Sequence, residues 1–515
     1  MTSTRIIIDR DFTVGPVDPR LFGSFAEHLG RCIYGGLYEP GHPTADASGF
    51  RQDVLALVQE LGVTVVRYPG GNFVSGYRWE DGVGPRELRP RRREIAWTSI
   101  ETNHFGTDEF IDWCRAAKVQ PLLAVNLGTR GPAEAGDYAE YCNQPAGMTT
   151  LGDQRVANGH PEPHGVTLWC LGNEVDGWWQ QGAKTAVEYG RIAREAAKLM
   201  TIPSGGIENS GLAHHQFIAC GSSGADLPTF GAWEREVLEE CYDHVHYVSL
   251  HTYYNNFKND VPTFLASSAL MADQIRKVVA TCDAVQARRK SKRRIDLCFD
   301  EWNIWYHSRD QDARQKPWTI APPLLEDVYD AADALVVGGM LISLLNHADR
   351  VRIACLAQLV NVIGPIMTRT GGPAWRQTIF HPFALTSRHG RGTALQTKIL
   401  GSTYACEAGE AIPLVDAAAV ATATGGVNIF ILHRDLKEFS ETDIDLRGFG
   451  PLAVEGWEFL HADDLTVTNR EADPDRYVPQ IGVGATVVEN RVHVRLPPGS
   501  WSVLRLVPAD LASKR

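Results

Sequence analysis

Thr167-Leu168-Trp169-Cys170-Leu171-Gly172-Asn173-Glu174 is a short strand-forming run that stops abruptly on a glycine, an amide and a carboxylate. An apolar run of this length, bounded by a turn signal, suits a strand buried on both faces. A helical stretch at 185–200 follows it. The same unit of apolar strand, polar and aromatic loop, then amphipathic helix recurs up to residue 385, with candidate strands centred on 21–25, 64–68, 122–126, 167–171, 217–220, 247–251, 296–299 and 352–356. Helical stretches at 52–61 and 108–118 lie between others, the first with Val54, Leu55, Leu57, Val58 and Leu61 on one face. Alternating strands and helices predict a parallel sheet. Eight such units in about 365 residues have the size of a decorated (β/α)8 TIM barrel.

The pattern changes near residue 386. Helical periodicity gives way to β-rich runs at 418–423, 427–433, 453–460, 491–496 and 501–507, separated by Gly, Pro and Asn-Asp clusters. This predicts a C-terminal antiparallel β-sandwich. The fold class is therefore α/β, with a barrel at 18–385, a sandwich at 386–515, and an N-terminal strand within 1–17 that joins the sandwich.

Composition narrows the function. The 515 residues are 44% hydrophobic and 22% charged, ample for a large core and more than one domain. A net charge of −12 disfavours nucleic acid as a partner. The basic run at 287–294 reads as a solvated helix end before a strand. The first ten residues hold three consecutive apolar residues, too few for an export signal, and no stretch approaches a membrane span, so the chain reads as cytoplasmic. Cys170, Cys220, Cys298 and Cys355 sit in apolar runs as small hydrophobes, and no Cys-x-x-Cys pair exists.

Polar residues cluster just past the predicted strands, where barrel active sites form. Strand one leads into Glu27 and His28, strand two runs through Arg67 to Asn72, and strand four leads into Asn173 and Glu174. Strand six leads into His251-Thr252-Tyr253-Tyr254, strand seven into Asp300-Glu301-Trp302-Asn303, and strand eight into Gln358. Two carboxylates on facing strands suit glycosidic cleavage, in which one protonates the leaving oxygen and the other attacks the anomeric carbon. Glu174 and Glu301 are 127 residues apart, so only the fold can join them. Their environments must push their pKa values apart. Arg67 is the cation expected to keep Glu301 ionised, and Glu174 has no basic neighbour in sequence. Each residue alone has a bland reading as a cap or solvated loop; the joint pattern carries the functional one.

Other motifs carry less. His214-His215 and His244-x-His246 lack a third ligand at metal spacing and read as surface or core histidines. Gly221-Ser222-Ser223-Gly224 lacks the ending of a phosphate loop and reads as a tight turn. Trp178-Trp179 suits a sugar-stacking platform or packing equally well.

The composite motifs resemble the α-L-arabinofuranosidases of glycoside hydrolase family 51, a clan-A family. The likeness is densest at 25–36, 67–84, 103–107, 172–174, 300–307 and 347–372. It implies a barrel with a β-sandwich, retention of configuration, no metal and no cofactor. It implies Glu174 as acid/base and Glu301 as nucleophile. Glu27, Asn72, Asn173, Tyr253 and Gln358 are implied to hydrogen-bond the furanose or shape its pocket, with Arg67 beside the nucleophile and Trp97 near the sugar. The stretch at 201–211 departs from the family pattern. The resemblance supplies the sugar: an exo-acting enzyme on arabinose-containing oligosaccharides, assembled as a homo-oligomer, in this family often a hexamer. The rivals are a β-xylosidase or endo-β-1,4-glucanase on the same barrel, a non-catalytic carbohydrate-binding barrel, and a metal-dependent barrel hydrolase.

Overall fold

A computed structural model of the chain describes residues 2–201 and 214–512. The divergent stretch beginning at Thr201 therefore lies almost wholly outside the described residues. Eight strands close into a barrel: Gly23–Phe25, Val65–Tyr68, Gln120–Val125, Leu168–Leu171, Gln216–Ala219, Tyr247–Tyr254, Asp296–Ile304 and Val351–Leu356. Each pairs in parallel with the next, and the eighth pairs with the first. The expected barrel is thus present, with every predicted strand in place. Its interior is filled by side chains, Cys170, Cys298 and Cys355 among them, all buried. The helix Ser267–Arg289 ends inside the basic run, ahead of the strand that starts at Asp296.

Strand seven departs from simple alternation. On one side Cys298 faces Ser249 and Glu301 faces His251, so three steps on one strand match two on the other. On the other side Phe299 faces Ala354 and Trp302 faces Leu356, with the same mismatch. One extra residue makes a β-bulge, which re-aims the side chains around it. Asp300 and Glu301, adjacent in sequence, are both buried and both in contact with Arg67.

Six further strands pair into three two-stranded ribbons, and ten more form one sheet. Its pairings are antiparallel except that Thr2–Pro16 runs parallel to Ser440–Arg447 while pairing antiparallel with Thr393–Leu400. Period-two alternation divides the sheet's faces. Ala417, Ala419, Ile429 and Ile431 join Ile6, Ile8 and Trp457 in the sheet's own core. Ala418, Val420, Phe430, Leu432 and Trp501 belong instead to the core shared with the barrel.

The helix Ala331–Asn346 lies at that junction, packing against the helix Ser267–Arg289 and against sheet strands. It is buried throughout 331–345, so it carries no polar stripe. At Gly338 an added Cβ would come 2.4 Å from the Trp501 indole, so only glycine allows this close approach.

Candidate active site

Glu301 is held from two sides. Arg67 Nη1 donates to its Oε1 at 2.7 Å, and the Tyr253 hydroxyl donates to its Oε2 at 2.8 Å. Arg67 is 1% exposed and also donates to Asn173 Oδ1 at 2.7 Å. Its Nε lies 3.2 Å from Asp300 Oδ2, and its guanidinium stacks 4.8 Å from the Phe25 ring centre. Burial disfavours the arginine's charge, but Asp300 and Glu301 outweigh it and hold the pKa well above the ordinary value. Burial likewise opposes the charge on Asp300, yet Arg67 and His251 keep its pKa below the usual carboxylate value.

Glu174 follows strand four in a left-handed backbone conformation, φ 45°. A non-glycine residue held there is strained, and such strain collects at functional sites. Its Oε1 shares a proton with His251 Nδ1 at 2.9 Å, and its Oε2 accepts from the Trp179 indole at 2.9 Å. Burial raises the Glu174 pKa, and the Glu301 charge adds to the rise; the His251 and Trp179 contacts pull the other way. His251 is the link between the carboxylates. Its Nε2 lies 3.2 Å from Asp300 Oδ1, an ion-pair contact, and its Nδ1 lies 3.7 Å from Glu301 Oε2. Burial alone would lower its pKa, but Glu301 and Asp300 raise it well above the ordinary imidazole value. The cluster thus raises the pKa of both Glu174 and His251 and lowers that of Asp300.

Glu27 closes the opposite wall. Its Oε1 accepts from Phe73 N and the Trp97 indole, each at 2.9 Å, and its Oε2 accepts from Gln358 Nε2 at 2.9 Å. Burial pushes its pKa up to about 7. Glu27, Trp97, Gln358 and Asn72 line a cavity of about 380 Å³ that also exposes Glu174, Glu301, Tyr253, Trp179 and Trp305. Two of the candidate site residues are not among those lining it. Arg67 and Asn173, each 1% exposed, sit behind the wall. Arg67 stands beside Glu301, where the sequence placed it, and orients Asn173, whose Nδ2 reaches Asn72 Oδ1 at 3.4 Å.

Trp178 and Trp179 separate in role: Trp178 is 88% exposed, while Trp179 lines the cavity. Gly221-Ser222-Ser223-Gly224 is a tight loop tied to Asp176, which accepts from both serines and from Thr229. His215 is buried with its pKa lowered to about 4, and His246 Nδ1 accepts from Phe217 N. Among the described residues one group has metal-ligand geometry: oxygens of Glu174 and Glu301 and a ring nitrogen of His251, all within 4.8 Å of one another. It consists of the hydrogen-bonded cluster just described.

Known proteins share this chain's sequence along nearly all its length. The family models described as "Alpha-L-arabinofuranosidase 1 domain" and "Alpha-L-arabinofuranosidase C-terminal domain" match residues 57–263 and 300–500. An intracellular exo-α-(1→5)-L-arabinofuranosidase of Bacillus subtilis is 48% identical over 98% of this chain and 99% of its own. One from Streptomyces lividans is 51% identical over 98% of this chain and 75% of its own. The solved structure of a family 51 α-L-arabinofuranosidase from Bifidobacterium longum superposes with a TM-score of 0.92 at 45% identity, covering 98% of this chain and 99% of that one. The chain belongs to the α-L-arabinofuranosidases of glycoside hydrolase family 51.

Sequence reading of this family 51 enzyme missed His251 and Asp300. His251 stands in the quoted run beside Tyr253, but on a regular strand nothing singles it out. Asp300 and Glu301 are neighbours, and ordinary alternation would aim one of them away from the cluster. The bulge undoes that rule, and only the pairing register reveals it.

Proposed function

We propose that this family 51 glycoside hydrolase is a retaining, exo-acting α-L-arabinofuranosidase that removes terminal arabinofuranosyl units from arabino-oligosaccharides and arabinose-bearing polysaccharide fragments. One observation carries the stereochemical part: an oxygen of Glu174 and an oxygen of Glu301 lie within 4.8 Å of each other. Retaining pairs sit about 5–5.5 Å apart, whereas inverting pairs need roughly 6.5–9.5 Å to admit a water. Glu174, its pKa raised by burial, gives its proton to the leaving oxygen. Glu301, oriented by Arg67 and Tyr253, attacks the anomeric carbon and forms a glycosyl ester. Glu174, now ionised, takes a proton from water, which attacks the same face that the leaving group left. Glu27, Asn72, Trp97, Tyr253 and Gln358 hold the sugar, with Arg67 and Asn173 supporting from behind.

The relatives' names support the sugar, the exo action and an intracellular setting. Among the described residues no helix is long and apolar enough to cross a membrane. We place the enzyme in the cytoplasm as a homo-oligomer, a hexamer on the family likeness. Its catalytic unit spans 18–385; residues 1–17 and 386–515 form the sandwich unit.

Proton NMR of the first product tests the stereochemistry. With an α-L-arabinofuranoside, the α-anomer should appear first and mutarotate later. An initial β-anomer would mean inversion. Cleavage of nitrophenyl β-xylosides or of cello-oligosaccharides in preference to arabinofuranosides would instead favour the rival activities.

A pH prediction follows from the proton on Glu174. Activity needs the protonated form, so kcat/KM should fall as pH rises through the Glu174 pKa. The Trp179 indole bond favours the ionised form. Trp179→Phe should therefore raise the pKa and move the basic limb to higher pH, by up to about one unit. A limb that stayed put, or moved down, would detach Glu174 from that limb.

A further inference from the structure

Trp97 reaches the catalytic cavity from the turn of a short hairpin, and one carboxylate organises that turn. Arg92–Glu94 and Ser99–Glu101 pair antiparallel, with Glu94 opposite Ser99. The connecting residues leave ladder positions, so their backbone donors need other partners. Glu94, 5% exposed, supplies two. Its Oε1 accepts from Ala96 N at 2.8 Å, and its Oε2 accepts from Trp97 N at 2.6 Å. The next residue, Thr98, is β-branched with φ 53°, and its carbonyl accepts from Trp318 N at 2.6 Å. A β-branched residue in that conformation persists only where neighbours over-determine it. From the same turn the Trp97 indole donates to Glu27.

Glu94 does not line the catalytic cavity. It lines a second cavity of about 210 Å³, with Arg78, Asp81, Arg92 and Glu101. Its hydrogen bonds reach the sugar pocket through the Trp97 backbone.

We propose that Glu94 is a positioning residue for the arabinofuranosyl pocket: its carboxylate fixes the Trp97 backbone so that the indole closes the cavity and donates to Glu27. The inference rests on the arabinofuranosidase reading. Burial pushes the Glu94 pKa up to about 7, while the Trp97 and Ala96 amides favour its ionised form; at a pH above that value, losing both hydrogen bonds should cost tens of fold in binding. On 4-nitrophenyl α-L-arabinofuranoside, Glu94→Ala should lower kcat/KM about ten- to a hundred-fold, mainly through KM. Glu94→Gln keeps the shape but only one acceptor oxygen, so it should fall between.

The discriminating comparison is a double-mutant cycle. In a Trp97→Ala background, Glu94→Ala should cost less than about two-fold more. Multiplicative losses, an unchanged KM with lowered kcat, or wild-type kinetics in Glu94→Ala would each overturn the proposal. If Glu94→Ala does not fold, the isosteric Glu94→Gln carries the same cycle. The wild-type enzyme is the separate check on the reading itself. Failure to cleave the arabinofuranoside would sink the arabinofuranosidase reading, and the cycle would then be run on the glycoside that is cleaved.

Discussion

Glu301→Ala is expected to lose turnover on every glycoside, on the order of 10⁵-fold, a loss typical of removing a catalytic nucleophile. On the proposed mechanism Glu301 forms the bond that the second step hydrolyses, and no neighbour can replace it. Asp300 is adjacent in sequence, but its two oxygens face Arg67 and His251 and it does not line the cavity. Glu27 is occupied by Phe73, Trp97 and Gln358. The truncation also opens space beside Arg67 Nη1, which then lacks its closest anionic partner. Added azide should enter there and attack an activated arabinofuranoside from the emptied face. The product should be the glycosyl azide of inverted configuration, with partial recovery of rate. Near-normal hydrolysis without azide would remove Glu301 from the role.

Glu174→Ala should give a loss that depends on the leaving group. A sugar alcohol departs poorly without a proton, so cleavage of arabino-oligosaccharides should drop by about 10³-fold or more. A dinitrophenolate departs unprotonated, so glycosylation of Glu301 from that substrate should survive. Hydrolysis of the ester then lacks its general base, and a burst of phenolate should precede a slow steady state. Azide should speed that second step and give a product of retained configuration, opposite to the Glu301→Ala case. The basic limb of the pH profile should vanish with the activated substrate. Equal losses on good and poor leaving groups, without a burst, would mean that Glu174 is not the acid/base.

The barrel was legible because its strands are mostly apolar and end on chemistry. Asn173-Glu174 and Asp300-Glu301 close runs that only a parallel sheet explains. What could not be read is what depends on pairing register or on three-dimensional neighbours. The bulge that brings Asp300 and Glu301 together leaves no mark in sequence. Nor does the opposition of His251 to Glu301 across two strands. Arg67 was legible as the cation beside Glu301, but its second contact, with Asp300, was not. The helix Ala331–Asn346 escaped notice for a related reason. Buried all round between barrel and sheet, it shows no amphipathic period to find. Glu94 was invisible because its partners are backbone amides, which no side-chain motif encodes.

The central claim is that Glu301 carries the sugar between the two steps, and trapping that species tests it most directly. A 2-deoxy-2-fluoro-α-L-arabinofuranosyl donor with a dinitrophenolate leaving group should slow both steps, the second more than the first. Intact-mass spectrometry should then show one added fluoroglycosyl unit per chain. Peptide mapping should place it on Glu301 and nowhere else. A label on Asp300, Glu27 or another carboxylate would contradict the account, as would turnover with no covalent species and an inverted product.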